Sequence, residues 1–544
     1  MLWFVLFGVG MGLYFVGMPK NTDDYWYMHN LRDWFAGQGV LYPENGGNIF
    51  KYGIPFNAIM ETWKEHWVND NTRLGNLIAP VLLLGPKWLW SGVLTVVWFL
   101  AIYQFGRFAG VDMRRSPLVV VLLTAFVFYM PWNDPFGCLV FQMNYIPSTF
   151  LGILLAMAFF QRKSNSDFYT LTMLFLLGVV TGWWHEGLGA PIGLGLLVVM
   201  TIYRRFRTRR SSAIVLGLLA GGMVIFLSPA YQKWSGAITV RSMGRDPFSI
   251  IYVWSPCFIT FFLGVLAGIR AGFKRVWCDP KVVFGMITTL GSLIIMEFTY
   301  STYRTGWWYY VMACVYTVYF LRVSFPAFWS RYTFLNSMMV APLLIASMVY
   351  LGSVGYVALQ MREDIERGFH EGIEHPERSR FCRYASISDL PWTCFQLPMS
   401  FDNFYDFPLT WKKIGVPDVE SFSYVGNDCS RGGIPERLRY VTSGSGDEID
   451  GNRGVRNVDG SLFMKATAAD IKPFEEYGVL YCVYQTRVGF GNGYGIAEMH
   501  GIVFRSEKDG NQYIYLQPCF NWYVSHFKKL QYVDILQMMN TIVR

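Results

Sequence analysis

The sequence predicts a mainly α-helical, polytopic membrane protein with a C-terminal extracytoplasmic α+β domain. Of its 544 residues, 53% are hydrophobic and only 15% are charged, whereas soluble globular proteins carry about 25% charged residues. The apolar residues gather in blocks of about 17 to 22, the length that a helix needs to cross a bilayer. The C-terminal part of the chain lacks such blocks and is punctuated by charge, glycine and proline. These three observations predict the fold class.

The apolar blocks predict about eleven transmembrane helices. The first, Met1–Met18, lacks the basic start and the small-residue cleavage site of a signal peptide, so we expect it to remain as a membrane helix. The other spans are expected near Trp88–Phe108, Pro117–Pro131, Tyr145–Gln161, Phe168–Trp184, Leu188–Arg204, Ser212–Pro229, Ser255–Arg270, Val282–Tyr300, Gly306–Leu321 and Thr333–Gln360.

A long polar loop, residues 19–75, separates the first two spans of this predicted transmembrane domain, residues 1–360. Its segments Tyr25–Phe35 and Pro55–Trp67 mix aromatic and charged residues at roughly helical spacing, which suits the membrane–water interface. The apolar segment Asn76–Leu84 is too short to span a bilayer. We expect it to be interfacial or re-entrant.

Residues 361–544 are predicted to form the extracytoplasmic α+β domain. Three β-rich stretches lie between turn residues and predict a small antiparallel sheet: Val479–Thr486, Ile496–Arg505 and Gln512–Pro518. Phe527–Val543 has apolar residues at helical spacing. No internal repeat is visible, so the pattern does not favour an inverted-repeat transporter.

Basic residues alternate between the short loops and predict the orientation of the chain. The loops of one side carry Arg107, Arg114, Arg115, Arg162, Lys163, Arg204, Arg205, Arg207, Arg209, Arg210, Arg270, Lys274, Arg275, Lys281, Arg322 and Arg331. The alternate short loops carry only Lys233, Arg241, Arg245 and Arg304. Because basic loops stay in the cytoplasm, we expect the loop at residues 19–75 and the C-terminal domain to lie outside.

Net charge and cysteine content exclude other classes. The net charge of +8 is explained by these orienting loops, so it does not predict a nucleic-acid partner. The nine cysteines include no CxxC pair and no metal-type cluster. Disulfides are allowed in the tail if it is extracytoplasmic, where the cysteines are Cys382, Cys394, Cys429, Cys482 and Cys519.

Asp23 and Asp24 stand directly after the first span. Charge so close to a membrane is costly and is usually kept for function. The functional interpretation is a general base that removes a proton from a hydroxyl on the outer face. The second carboxylate would tune its pKa or share a divalent cation, Mg²⁺ or Mn²⁺, which prefers oxygen ligands. The structural alternative is a pair of solvated loop residues or helix caps.

The run Trp183-Trp184-His185-Glu186-Gly187 ends a predicted span on the same outer side. His185 is a candidate donor to developing charge, and Glu186 is a candidate second carboxylate for a metal or an acceptor. The alternative is an aromatic belt followed by a polar turn. The run is not HExxH, so it does not predict a zinc protease.

Arg304 is a lone cation in a short outer loop. An arginine fork recognises phosphate in a bidentate manner, and we favour this role over an ion pair with Glu297. Weaker candidates for the same role are Arg73, Lys233, Arg241 and Arg245.

This arrangement resembles the GT-C superfamily of polytopic membrane glycosyltransferases. The resemblance covers roughly Met1 to Gln360 and starts from Asp23 and Asp24, followed by Tyr25 and Trp26, after a first helix. The runs Asp70–Gly75, His185-Glu186-Gly187 and Tyr303-Arg304 are similar to an uncharacterised bacterial branch of such proteins. The tail, residues 361–544, matches no domain that we can name.

The resemblance implies transfer of a sugar from a polyprenyl-phosphate carrier to a glycan, lipid or protein acceptor at the outer face of a bacterial cytoplasmic membrane. Asp23 or Asp24 would be the base of an inverting attack, and Tyr25, Trp26, His185 and Glu186 would contact the acceptor or support the site. Arg304, with Arg73 and Arg245 as alternatives, would bind the donor phosphate. A metal, if present, would be held by Asp23, Asp24 and Glu186. The carrier phosphate leaves with the lipid, so no nucleotide fingerprint is needed.

Two other classes remain as alternatives. A transporter or flippase of lipid-linked saccharides requires polar or charged groups near the bilayer midplane, and the predicted spans are nearly free of ionisable residues there. A purely structural anchor for the outer domain does not explain so many spans or the acidic loop.

Overall fold

The computed structural model describes residues 2–17, 52–70, 72–130, 139–161, 167–235, 247–298 and 306–352, single positions between 27 and 38, and the five strands given below. The chain divides into two compact units, and each is described by itself. The first unit comprises Met1–Val16, Asn45–Arg245 and Ile251–Gly355, and the second comprises the remaining residues.

Helices build the first unit. They are α1 Leu2–Gly17, α2 Phe56–Asn69, α3 Leu74–Leu83, α4 Lys87–Phe108, α5 Leu118–Phe128, α6 Leu139–Phe160, α7 Phe168–Trp184, α8 Glu186–Ile202, α9 Arg209–Phe226, α10 Pro229–Ser235, α11 Pro247–Ala271, α12 Pro280–Phe298, α13 Trp307–Ser324 and α14 Phe334–Gly352. Short helical turns lie at Arg204–Phe206, Phe273–Trp277 and Pro326–Trp329.

Membrane-length helices occur along the whole first unit. Among the residues that the structure describes, five helices are long and apolar enough to cross a bilayer: Trp88–Phe108, Leu139–Phe160, Arg209–Phe226, Trp254–Ala271 and Phe334–Gly352. The mainly helical class predicted from the sequence is therefore confirmed, and these helices agree with a membrane protein. The other predicted spans correspond to shorter apolar helices or to α13, so the total of about eleven spans stays a prediction.

Two of the three segments predicted to be interfacial are helical, and the third, Tyr25–Phe35, is described only at single positions. Pro55–Trp67 corresponds to α2, which begins at Phe56. Asn76–Leu84 corresponds to α3, which has 10 residues and contains Pro80, so α3 is too short to cross a bilayer.

Helices α7 and α9 run parallel and pack so closely that their backbones are in contact. Gly178 and Gly182 in α7 and Gly217 and Gly221 in α9 stand on the facing sides. A Cβ atom on any of these four glycines would press on a carbonyl oxygen of the partner helix. Small residues at this spacing let membrane helices pack closely, and here they join α7 to α9 along most of their length.

Aromatic side chains pack α13 into the interior of the first unit. Every residue of α13 from Trp307 to Phe320 is buried. The Trp307 ring lies 5.5 Å from the Trp98 ring of α4 and 5.6 Å from the Tyr145 ring of α6, measured between centroids. The Trp307 indole N–H donates to the Thr149 hydroxyl of α6 at 2.8 Å, as is usual for a buried polar group.

One group of helix ends meets at what we call the loop end: residues 69–70 and 72–76, the ends of α7 and α9, and the starts of α6 and α8. Three contacts define it. The Thr72 hydroxyl donates to the Ser228 hydroxyl at 2.9 Å, the Trp184 indole donates to the Met143 carbonyl at 2.9 Å, and the His185 ring lies on the Tyr145 ring. Helix α1 runs antiparallel to α4, because Phe4 contacts Tyr103 while Gly12 faces Thr95, so the chain leaves α1 at the loop end.

The opposite helix ends form what we call the arginine end. Its described basic residues are Arg107, Arg114, Arg115, Arg204, Arg205, Arg207, Arg209, Arg210, Arg270, Lys274, Arg275, Lys281, Arg322 and Arg331. The structure therefore gathers at one end the described members of the loops predicted to share a side. Which end faces the cytoplasm stays a prediction.

Strands are described in the second unit. They are β1 Gly454–Arg456, β2 Leu462–Lys465, β3 Tyr481–Val488, β4 Gly495–Arg505 and β5 Gln512–Pro518. These described strands form an antiparallel sheet in the order β1-β2-β5-β4-β3, and the last three overlap the stretches predicted to be β. The predicted helix Phe527–Val543 lies outside the described residues, and the α+β domain stays a prediction.

Candidate functional site

Arg73 and Glu186 form a bidentate ion pair at the loop end. The Arg73 Nε–H donates to Glu186 Oε2 at 2.7 Å, and a second guanidinium nitrogen donates to Glu186 Oε1. Two parallel hydrogen bonds of this kind fix the relative orientation of both groups. The pair thus joins the end of the long loop to the first residue of α8.

The pair is partly open to solvent and strongly favours the ionised carboxylate. The side chains of Arg73 and Glu186 keep 19% and 21% of their surface exposed. Burial of the Glu186 carboxyl opposes its ionisation, but the Arg73 charge and its hydrogen bond outweigh burial and lower the pKa of Glu186 to about 2. Glu186 lies outside the candidate spans, so this balance is set at the helix end.

Uncharged contacts hold the chain beside Arg73 independently of the ion pair. The Thr72 side chain donates to Ser228, and the Trp183 indole N–H donates to the Thr72 carbonyl oxygen at 2.9 Å. Thr72 is itself buried. The backbone before Arg73 is therefore fixed to the ends of α7 and α9 whether or not Glu186 is bound.

The chain after Arg73 docks closely on the start of α6. A Cβ atom on Gly75 would collide with the Asn144 side chain and approach the Trp184 indole nitrogen to 2.9 Å, so only glycine permits this packing. The buried Asn144 amide nitrogen donates to the Asn76 amide oxygen. Arg73 is consequently held between two fixed points of the backbone.

His185 caps α8 and faces the protein interior. Its Nδ1 accepts from the Gly187 backbone N–H at 3.0 Å, which places the proton of the neutral ring on Nε2. The ring is 1% exposed and packs on the Tyr145 ring at 4.7 Å between centroids. The capping role of His185 is shown, and its role as a donor to developing charge stays a prediction.

Tyr231 of α10 lies near the ion pair, and a polar contact joins α10 to α2. Burial raises the pKa of the Tyr231 phenol, and the Glu186 charge adds to this rise, which places Tyr231 near the pair. The Lys233 ammonium donates to the Asn69 side-chain oxygen at 2.8 Å. His66 contacts Asp70 at 2.8 Å. These contacts draw α2 and α10 together over the loop end.

The described arrangement does not fit Glu186 as a ligand of Mg²⁺ or Mn²⁺. Both carboxylate oxygens of Glu186 already accept from the positively charged Arg73, and a second cation beside the guanidinium would be repelled. Among the described residues, no group of three or more His, Cys, Asp or Glu side chains is placed to hold a metal. Asp23 and Asp24 lie outside those residues, so their share in the metal prediction is untouched.

The structure describes four of the predicted candidates at the loop end: Arg73, His185, Glu186 and the weaker candidate Lys233. The other candidates lie outside the described residues and stay predictions: Asp23, Asp24, Tyr25, Trp26, Arg241, Arg245 and Arg304. The sequence analysis missed the polar residues that fix Arg73 in place, namely Thr72, Asn76, Asn144 and Ser228. Their signal was visible, because amides and hydroxyls stand out beside apolar segments.

In comparison with known proteins, the chain matches no protein-family description, no curated protein and no solved structure. The assignment of a function therefore depends on the chemistry of these residues and on the sequence pattern around them.

Proposed function

We propose that this protein is a GT-C-type glycosyltransferase of the bacterial cytoplasmic membrane. It transfers a sugar from a polyprenyl-phosphate carrier to a glycan, lipid or protein acceptor on the outer face, with inversion of the anomeric centre. The observation that carries the proposal is the acidic pair Asp23-Asp24, which follows directly after α1 in the sequence. Its support is that the chain leaves α1 at the loop end, where Arg73 and Glu186 also lie.

The chemistry requires a base and a cationic partner for phosphate. Asp23 or Asp24 takes the proton of the acceptor hydroxyl or amine while the acceptor atom bonds to the anomeric carbon. The bond from that carbon to the phosphate oxygen breaks, and the carrier leaves as polyprenyl phosphate. Arg304 and Arg245 are the proposed partners of the growing phosphate charge, together with Arg73, because preorganised charge is usually the largest catalytic contribution.

The alternative is a flippase or transporter of lipid-linked saccharides, and the described helices favour the enzyme. A transport path across the bilayer requires ionisable or strongly polar groups near the midplane. Within the five described candidate spans, Asp, Glu, Lys and Arg are absent from the middle of each helix. The charged groups instead lie at the two helix ends, and the Arg73–Glu186 pair lies at the loop end.

Replacement of the acidic pair tests the proposal. Asp23→Asn and Asp24→Asn are nearly isosteric, and we expect at least one to lower sugar transfer by about 10²–10⁴-fold, the usual contribution of a general base. Asp167→Asn is the matched control, because Asp167 only caps α7 at the arginine end and asparagine caps equally well. The assay follows radiolabelled sugar from purified polyprenyl-phosphate donors.

Full transfer by both variants would contradict the proposed base. Wild-type protein that transfers no sugar, yet moves lipid-linked saccharide across vesicle membranes, would establish the flippase instead.

A further inference from the structure

The Arg73 fork holds a carboxylate in the geometry that arginine also uses for phosphate. Two guanidinium nitrogens face the two oxygens of Glu186 side by side. Carboxylate and phosphate both accept such paired hydrogen bonds, and phosphate carries an equal or larger negative charge. Glu186 therefore occupies the position that a phosphate would take on this fork.

The fork is reachable without unpacking the helices. About a fifth of each side chain is exposed, so solvent reaches the pair and screens part of the attraction between its charges. An incoming anion can therefore approach the pair from the solvent. A pair sealed in the interior would be much harder to separate.

The two partners differ in how they are held. The backbone at Arg73 is fixed by the Thr72–Ser228 and Trp183–Thr72 hydrogen bonds and by the close packing of Gly75 on Asn144. The described polar contacts of the Glu186 side chain are those with Arg73. Separation would therefore leave the Arg73 backbone where it is and require movement of side chains alone.

The surroundings suit an anion as well. Glu186 is the first residue of α8, a helix of 17 residues, and a helix start carries partial positive charge. Lys233 lies in α10, which also contributes Tyr231 beside the pair. An anion that replaces the carboxylate would keep the same favourable field.

We propose that Glu186 is an exchangeable placeholder, and that the phosphate group of a membrane lipid displaces it from Arg73. The source of that phosphate rests on the proposed function, which supplies polyprenyl phosphate as the leaving group. Arg73 is then a phosphate-binding residue that pairs with Glu186 when no phosphate is bound. Glu186 and the lipid phosphate compete for the same guanidinium.

Binding measurements on the full-length protein in phosphatidylcholine nanodiscs test the exchange. We expect Glu186→Gln to bind polyprenyl phosphate about two- to five-fold more tightly, because the carboxylate that competes for Arg73 is gone and solvent screens part of its attraction. Arg73→Lys keeps the charge but loses the fork, so affinity should fall about tenfold or more. Thr72→Ala is the matched control, because it loosens the same segment and leaves both charges in place.

Three ligands separate the sources of phosphate. Polyprenyl phosphate and phosphatidic acid present the group at the membrane surface, whereas inorganic phosphate presents it free. A response to Glu186→Gln with polyprenyl phosphate, alone or with phosphatidic acid, supports the lipid site. The same response with inorganic phosphate only would overturn the lipid assignment.

Unchanged or weaker polyprenyl phosphate binding by Glu186→Gln would overturn the placeholder, and so would an equal gain by Thr72→Ala. Sugar transfer is measured on the same samples. Tighter binding by Glu186→Gln without any transfer in the wild type would support the placeholder and remove the glycosyltransferase proposal. Normal transfer with unchanged binding would remove the placeholder alone.

Discussion

The two ends of the helical unit use their cations differently. At the arginine end, cations donate to backbone carbonyls in the last turns of helices: Arg210 to Ala158 at 3.1 Å, Arg207 to Thr201 at 2.6 Å and Lys281 to Phe108 at 2.9 Å. At the loop end, Arg73 instead binds a carboxylate side chain. A side-chain partner can be exchanged for another anion, whereas a helix carbonyl cannot leave.

This difference separates the structural role of the cations at the arginine end from the proposed binding role of Arg73. The last carbonyls of a helix lack partners within it, and positive charge there is favourable. The arginine end therefore satisfies its own helices, and its role in orienting the chain stays a prediction. The loop end holds a carboxylate, a guanidinium and a phenol near one another.

The largest effect on stability is expected from substitutions at the contact between α7 and α9, the helices that run from the arginine end to the loop end. In Gly221→Leu the new side chain collides with the Val179 carbonyl, and overpacking of this kind lowers stability by about 1–3 kcal/mol. Gly222→Leu is the neighbouring control, because a Cβ atom at Gly222 meets only a Phe226 ring atom at 3.9 Å. Unfolding of the purified variants in detergent measures the difference. Equal stability of the two variants would show that the close glycine packing of α7 on α9 does not stabilise the fold.

A smaller effect on stability is expected from pH. It should differ between Glu186 at the loop end and Asp167 at the arginine end. The pKa of Glu186 is lowered from 4.5 to about 2, so the ionised carboxylate stabilises the fold above the unfolded value of 4.5, and this contribution is lost as pH falls toward 2. The stability difference between wild type and Glu186→Gln should be constant from pH 7 to about pH 5 and shrink below about 4.5. Thermal unfolding across this range measures it.

Asp167 at the arginine end provides the comparison. Hydrogen bonds from Thr170 lower the pKa of Asp167, but asparagine retains the cap, so Asp167→Asn should differ little from wild type above pH 5. A Glu186→Gln difference that disappears between pH 7 and pH 5 would contradict the ion pair as the source of the shift.

The sequence predicted the helical class because long apolar blocks have few other solutions in water or lipid. It also identified Arg73, His185 and Glu186 individually, since charge beside apolar segments stands out. It did not predict that Arg73 and Glu186 pair, because they are 113 positions apart and no local spacing relates them. The cap made by His185 depends on one backbone geometry, an extended residue between α7 and α8, which a pattern of residue types does not encode.

The glycine contact of α7 and α9 was visible in the sequence but was not interpreted. Gly178 and Gly182, and likewise Gly217 and Gly221, have the small-residue spacing of close helix pairs. The sequence does not show that the glycine pair of α7 faces the glycine pair of α9. That depends on how α8, which connects the two helices, folds back, and only the structure shows this.

Labelling of single cysteines from outside the cell tests most directly whether the loop end faces outward and the arginine end faces the cytoplasm. Lys64→Cys in α2 and Arg209→Cys in α9 place exposed thiols at the loop end and the arginine end, in a background whose nine cysteines are replaced by serine. A membrane-impermeant maleimide should label the cysteine at position 64 in intact spheroplasts and the cysteine at position 209 only after permeabilisation. Labelling of position 209 in intact spheroplasts, with position 64 protected, would contradict the orientation and the outward-facing site.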